Sequence, residues 1–298
     1  MTSPRFATCL ALPLALLTAP LMGCGDGPDL RRLNFGATAL VTGDFDTVEQ
    51  LLQEVGQTTT IQADISVYDG YVDGPHFETE DVSLPSQLTL EVEDLLRADT
   101  VAGLDQFKTA FLSCGMRGVS HHVYNGVSED NNLIDDPTVI QNLVDAANNG
   151  VNLYFSDWTY EFIERGWPNH VTWVGDESEL DSAQRGQAGP VAARVVHEGL
   201  AAFMEIPAES QIEIIFNQGG WAVPIEVDES LVDVLVRGDV VYDDPDSGEF
   251  KELSDVPLVF TFPAGGGQVV YTAFHNEAQI TDDARDVLRF SLTQLSQI

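Results

Sequence analysis

Positive charge is scarce in this chain. Of 298 residues only 13 are Lys or Arg, against 48 Asp and Glu, and the formal net charge is −35. Lys108 and Lys251 are the only two lysines. Nothing in such a chain could neutralise a run of phosphates, so nucleic acid is excluded as a partner. The acids are spread through turns and helix surfaces and do not gather in a tail. They read as a solvated surface suited to salt, where screening relieves self-repulsion. Cysteine is scarce too, with three in the whole chain, too few for a disulfide framework. No repeat or low-complexity block interrupts residues 36–298, and a hydrophobic content of 44% argues against disorder.

At the N-terminus, Met1–Arg5 is short and positively charged, and Phe6–Pro20 is apolar and free of acids. That run has the length of a signal-peptide core and is too short to cross a bilayer as a helix. It ends at Leu21-Met22-Gly23-Cys24, which resembles the bacterial lipobox: an aliphatic residue, a variable one, a small one, then Cys. The resemblance implies cleavage before Cys24 and a diacylglycerol on its thiol. The expected organisation is therefore a signal peptide over 1–23, a tether over 24–35 and one domain over 36–298. The domain would be exported and held at a membrane of the cell envelope by lipid. Cys9 leaves with the signal and Cys24 is lipidated, so Cys114 stands alone and the core must hold the domain without a disulfide.

Along the domain, apolar runs alternate with helical patterns. Ala37–Val41 predicts a first strand, and Asp46-Thr47-Val48-Glu49 reads as a capping box opening a helix that closes at Gly56. Ile61–Tyr68 predicts a second strand, and Asp69–Thr100 a long irregular insertion. Phe107–Ser113 predicts a strand ending at Cys114-Gly115. Asp136-Pro137 places a cap and then proline at the first helical position, with Val139, Ile140, Leu143, Val144 and Ala147 on one face. Asn152–Ser156 is a buried strand followed at once by a helix over Trp158–Arg165. Ala192–Met204 runs strand into helix. The later chain is β-rich, with turns at Asp243–Gly248 and Ala264–Gly267, and Thr281 caps a final helix. The expected fold is three-layer α/β, a mainly parallel sheet with helices on both faces and an antiparallel extension in the C-terminal half.

In such a sheet ligands sit at the carboxyl ends of the strands. Three segments should meet there: Ser113-Cys114-Gly115, Ser156-Asp157-Trp158 and His275-Asn276-Glu277. The run Val269–Glu277 resembles the strand and His-x-Glu signature that closes class I glutamine amidotransferase-like domains. Leu153–Ile163 stands where that family has its nucleophile elbow, and Ser113-Cys114-Gly115 where it has its oxyanion loop. The chain also resembles bacterial lipoproteins with an S-D-W-x-Y-E stretch and a terminal F-H-N-E-A-Q, and ThuA-like domains, which share the fold and are associated with sugar metabolism. The elbow departs from the family: it offers Ser156 and Asp157 where an amidotransferase needs a cysteine thiolate. Bulky Tyr154 and Trp158 flank it where an elbow takes small residues.

Other motifs have plainer readings. His121-His122 is a pair whose members point apart in extended chain. His197-Glu198 lacks the second histidine of a zinc-protease helix and reads as surface. Asp244–Gly248 reads as a hairpin turn and not a calcium loop. Gly265-Gly266-Gly267 precedes a strand and reads as a turn, and Trp158, Trp167, Trp173 and Trp221 as core aromatics. No metal and no cofactor is expected. The leading expectation is a lipid-anchored, non-catalytic binding or structural module, with a pocket of Cys114, Gly115, Asp157 and Trp158 for a small polar ligand. The alternatives are an envelope amide or peptide hydrolase using Ser156, His275 and Glu277, and a ThuA-like sugar-related protein. A lone Cys114, with no base nearer in sequence than Arg117, is expected to be structural.

Overall fold

The computed structural model describes residues 32–58, 60–72, 90–99, 102–119, 133–176, 178–274 and 281–296. The lipobox and Cys24, His121-His122, and the run His275–Glu277 lie outside them.

Five strands form the parallel part of the sheet. β1 (Arg32–Val41) pairs in parallel with β2 (Thr60–Tyr68) on one side and β3 (Thr109–Leu112) on the other. β3 pairs with β4 (Asn152–Ser156). The fifth, β13 (Gly267–Thr272), pairs in parallel with β4 although all the strands from β5 to β12 lie between them in the chain. The connections carry the helices: α1 (Val48–Thr58), α2 (Val92–Leu96), α3 (Pro137–Asn148) and α4 (Tyr160–Gly166). Two short strands, β5 (Val171–Trp173) and β6 (Gln184–Gly186), lead into β7 (Gly189–Val195), α5 (Glu198–Phe203) and β8 (Gln211–Phe216). There follow β9 (Trp221–Ala222), β10 (Pro224–Val227), β11 (Asp233–Asp243), β12 (Phe250–Ala264), then β13 and finally α6 (Asp282–Leu295).

Among the described residues the main sheet has eleven strands in the order β2-β1-β3-β4-β13-β12-β11-β6-β9, with β7 and β8 branching from β11. Every pairing beyond β13 is antiparallel. The architecture is the mixed α/β class expected from the sequence, a parallel core with a late antiparallel extension. Helices cover both faces, with α3 packed on α4 and on β13, and α6 packed on α5, β1, β4 and β13. β5 and β10 pair apart as a two-stranded sheet.

Local sequence explains the elements. Asp136 has extended backbone and its side chain accepts from the Thr138 N–H at 2.9 Å, with Pro137 first in α3. Val139, Leu143, Ala146 and Ala147 line the buried face of α3. A valine or leucine side chain stabilises by about 1.5–3 kcal/mol when withdrawn from water. The Thr281 hydroxyl accepts from the Ala284 N–H at 3.0 Å to cap α6. β4 is buried at every position, as a strand covered on both faces must be. Among the described residues no helix is long and apolar enough to cross a membrane.

Three expectations need correction. Asp69–Thr100 is not irregular throughout: α2 buries Val92, Leu95 and Leu96, and Asn142 of α3 donates to the carbonyls of Leu96 and Ala98, both at 2.8 Å. α1 begins at Val48 and runs past Gly56 to Thr58. Its neighbour Asp46 directs a carboxyl oxygen to Ser156 across the strand ends. His197 is not idle surface, since its Nδ1 accepts from the Leu200 N–H at 3.1 Å to cap α5, and its ring lies 5.5 Å from that of Phe290.

Candidate functional site at the strand ends

Because β1, β3 and β4 run parallel and in register, their carboxyl ends bring Gly43–Asp46, Ser113–Gly115 and Ser156–Trp158 together. Gly43 is required by the approach: a Cβ there would lie 2.1 Å from the Cys114 carbonyl oxygen. Gly115 has φ +75, and a Cβ on it would meet the Phe45 ring at 2.5 Å. Two backbone bonds then tie the loops, from the Asp44 N–H to the Gly115 carbonyl at 3.2 Å and from the Phe45 N–H to the Cys114 carbonyl at 3.4 Å.

The turn after β4 is strained at one residue. Ser156 retains extended backbone at φ −124, ψ 135, whereas Asp157 has φ +41. A non-glycine residue in that region costs on the order of 1–3 kcal/mol, which its surroundings must supply. They do so through the side chain. The Asp157 Oδ1 accepts from the Ala222 N–H at 2.7 Å and Oδ2 from the Cys114 thiol at 3.6 Å, while its carbonyl accepts from the Tyr271 hydroxyl at 3.3 Å. Asp157 therefore links β4 to β9, the Cys114 loop and β13, and is 1% exposed.

Ser156 is committed as well. Its hydroxyl donates to Asp46 Oδ2 at 2.5 Å and accepts from the Cys114 N–H at 2.9 Å. It is 0% exposed. Trp158 closes the outer side, donating from Nε1 to the Gly220 carbonyl at 2.8 Å and meeting the Phe45 ring edge-on at 5.2 Å. Burial, reinforced by the neighbouring Asp157 charge, pushes the Cys114 thiol well above its ordinary range. A neutral, buried thiol is a poor nucleophile. In the first turn of α1, close to Asp46, Glu49 has a buried carboxyl oxygen with no hydrogen-bond partner among the described residues. Burial pushes its carboxyl up to about 7, its own backbone N–H opposing and the Asp46 charge adding to the effect.

The structure thus brings Cys114, Gly115, Ser156, Asp157 and Trp158 together as the sequence suggested. Asp46 is the member that sequence reasoning missed. The signal was an acid in a Gly-Asp-Phe-Asp turn directly after an apolar strand, which helix-capping logic claimed first. Trp158, Trp167, Trp173 and Trp221 are all core side chains, at most 9% exposed. Asp244 and Gly265 sit in the hairpin turns expected of them, the latter with φ +60.

No family model matches the chain, and no curated protein does. Among solved structures it is similar to a putative GMP synthase subunit from Thermoplasma acidophilum, at 11% identity over 87% of this chain and 94% of that one, with a TM-score of 0.45. It is similar to PurLQS from Thermotoga maritima at 10% identity, covering 88% and 100% of the two chains, with a TM-score of 0.45. A cytoplasmic protein from Salmonella typhimurium LT2 gives 12% identity, 88% and 97% coverage and a TM-score of 0.46.

Proposed function

We propose that this chain is a lipid-anchored protein of the cell envelope whose amidotransferase-like α/β domain serves as a non-catalytic binding or structural module. The observation that carries the non-catalytic half is the occupant of the elbow. The one strained residue after β4 is Asp157, and both its carboxyl oxygens already accept hydrogen bonds from within the domain. A nucleophile at such a turn has to stand free, at van der Waals reach of a substrate and of a base. Ser156, the residue on which a hydrolase would depend, lies one position earlier in extended backbone, with its hydroxyl engaged to Asp46 and to the Cys114 N–H.

The anchor half rests on the sequence: the apolar leader, the Leu21-Met22-Gly23-Cys24 box and the abrupt change to Gly25-Asp26-Gly27-Pro28-Asp29. Metabolic labelling with a radioactive fatty acid tests it. The wild-type chain should take up label and sediment with membranes, and Cys24→Ala should lose both. An unlabelled wild-type chain would end the anchored reading and leave the elbow argument standing.

A further inference from the structure

A cavity of about 680 Å³ opens beside the antiparallel extension and shares no lining residue with the strand-end cluster. Its walls are the loop between β5 and β6, the exposed side of β10 and the turn joining β11 to β12. Four acids line it, Asp176, Glu179, Asp244 and Asp246, together with Arg185 and the ring of Tyr242.

The walls are fixed. Gly175 has φ +96 and approaches Ser182 so closely that a Cβ would lie 2.6 Å from the Ser182 Cβ. The Ser182 hydroxyl donates to the Asp176 carbonyl at 3.0 Å, and the Arg185 Nε donates to the Ser182 carbonyl at 3.2 Å. The buried Glu161 accepts from the Asp181 N–H at 2.8 Å and ties the loop to α4. Opposite, Asp244 accepts from the Ser247 N–H at 3.0 Å and from Lys251 at 2.7 Å.

Within this frame Arg185 is the exception. Arg97, Arg117, Arg165, Arg194, Arg237, Arg285 and Arg289 each pair with a carboxylate. Arg185 pairs with none among the described residues, although it shares its cavity with four acids. Its Nε is held, so the two terminal nitrogens are presented in a fixed plane, the geometry that takes a carboxylate by two parallel hydrogen bonds. A purely anionic ligand would meet the surrounding acids, and a purely cationic one would meet Arg185. A ligand with both kinds of group satisfies both. The lining remains net negative after Arg185 and Lys251 are counted, which favours an excess of positive groups on the ligand. Ile225, 37% exposed on the β10 wall, and Tyr242 offer apolar surface for an alkyl stem between the charged ends.

We propose that this cavity binds a small basic amino acid, with its α-carboxylate on Arg185 and its cationic groups on Asp176, Glu179 and Asp246. The site is separate from the strand-end cluster and depends neither on the lipid anchor nor on the state of Ser156.

Calorimetric titration of the full chain in detergent at low ionic strength tests this, with L-lysine, 1,5-diaminopentane and L-norleucine as probes. L-lysine should bind about tenfold or more tightly than diaminopentane, which lacks the carboxylate, or norleucine, which lacks the terminal ammonium. Arg185→Gln should erase the preference over diaminopentane by weakening L-lysine, while diaminopentane, relieved of the guanidinium charge, binds no more weakly than to the wild type. Glu179→Gln with Asp246→Asn should weaken both amines. All the substituted residues lie on solvent-facing walls, and matching far-UV circular dichroism checks that the variants fold. No heat with millimolar L-lysine, equal binding of L-lysine and diaminopentane, or a preference that survives Arg185→Gln would each overturn the proposal.

Discussion

The strand-end cluster and the cavity beside the antiparallel extension treat polar groups in opposite ways. At the strand ends Ser156, Asp157, Asp46 and the Cys114 backbone use one another's hydrogen-bonding capacity under nearly complete burial. In the cavity the acids are mostly exposed and a guanidinium is held in place without a carboxylate partner among the described residues. Parallel α/β sheets conventionally place ligands at the first position. In this chain Ser156 and Asp157 at that position are engaged within the domain, with buried oxygens of Glu49 and Ser113 left without a hydrogen-bond partner among the described residues, whereas the charged groups of the cavity face solvent. Location in a fold therefore says where a site can be built, and the hydrogen-bond inventory says whether it has been kept open.

The sharpest way to break this comparison is at Asp157. Asp157→Ala removes the acceptor of the buried Ala222 N–H and puts alanine at a positive φ, so it should cost about 3 kcal/mol in urea unfolding. Asp157→Asn keeps an acceptor and tolerates the backbone, so its cost should be clearly smaller. Equal, small losses from both would mean that the elbow is not structural.

Protonation sharpens the contrast next. The Glu49 carboxyl titrates at 4.5 in its ordinary state and at about 7 in the fold, so the folded chain holds a proton that the unfolded chain has released. Its stabilising contribution is complete below about pH 4.5 and is lost as pH rises to about 7. Over that window the wild type should lose about 2 kcal/mol more than Glu49→Gln, solvent screening included. In the cavity, hydrogen bonds from the Ser178 N–H and hydroxyl hold Asp176 below the usual carboxylate range, and Lys251 with Ser247 does so for Asp244. Those contributions are present above pH 3.8 and fade only below it, outside the Glu49 window. A wild type and a Glu49→Gln variant with parallel pH profiles would remove this distinction.

The smallest effect belongs to Arg185. Its substitution by Gln should change stability by less than about 0.5 kcal/mol, because it sits at a solvent-facing wall without an ion pair among the described residues. A loss of several kcal/mol would mean that Arg185 supports the fold, and the two regions would no longer differ in kind.

Much of this was readable from the sequence where physics is local. The Asp136-Pro137 and Thr281 caps, the buried run of β4 and the hairpin turns at Asp244 and Gly265 follow from side-chain chemistry within a few residues. The convergence of Cys114, Ser156 and Asp157 also followed, since parallel strands of similar length end together. What stayed hidden depends on long-range pairing. Asp46 lies in a motif that equally well opens a helix, and only the parallel pairing of β1 with β3 and of β3 with β4 brings Ser156 within its reach. The sequence likewise could not say which of Ser156 and Asp157 takes the positive φ, because both are small polar residues after an extended run. The cavity was invisible for the same reason: Asp176, Arg185 and Asp246 are brought together only when β6 pairs with β11, at Gly186 and Tyr242.

The central claim is that Ser156 is a structural hydroxyl and not a nucleophile, and a fluorophosphonate, which phosphonylates activated serines, addresses it directly. The folded protein would be incubated with excess reagent at about pH 7.5, within the range where a histidine-type base is active, and digested. The peptide containing Ser156 would then be followed by mass spectrometry. With that hydroxyl buried between Asp46 and the Cys114 N–H, no adduct should form over hours. Rapid, stoichiometric modification at Ser156, abolished by prior denaturation, would contradict the account.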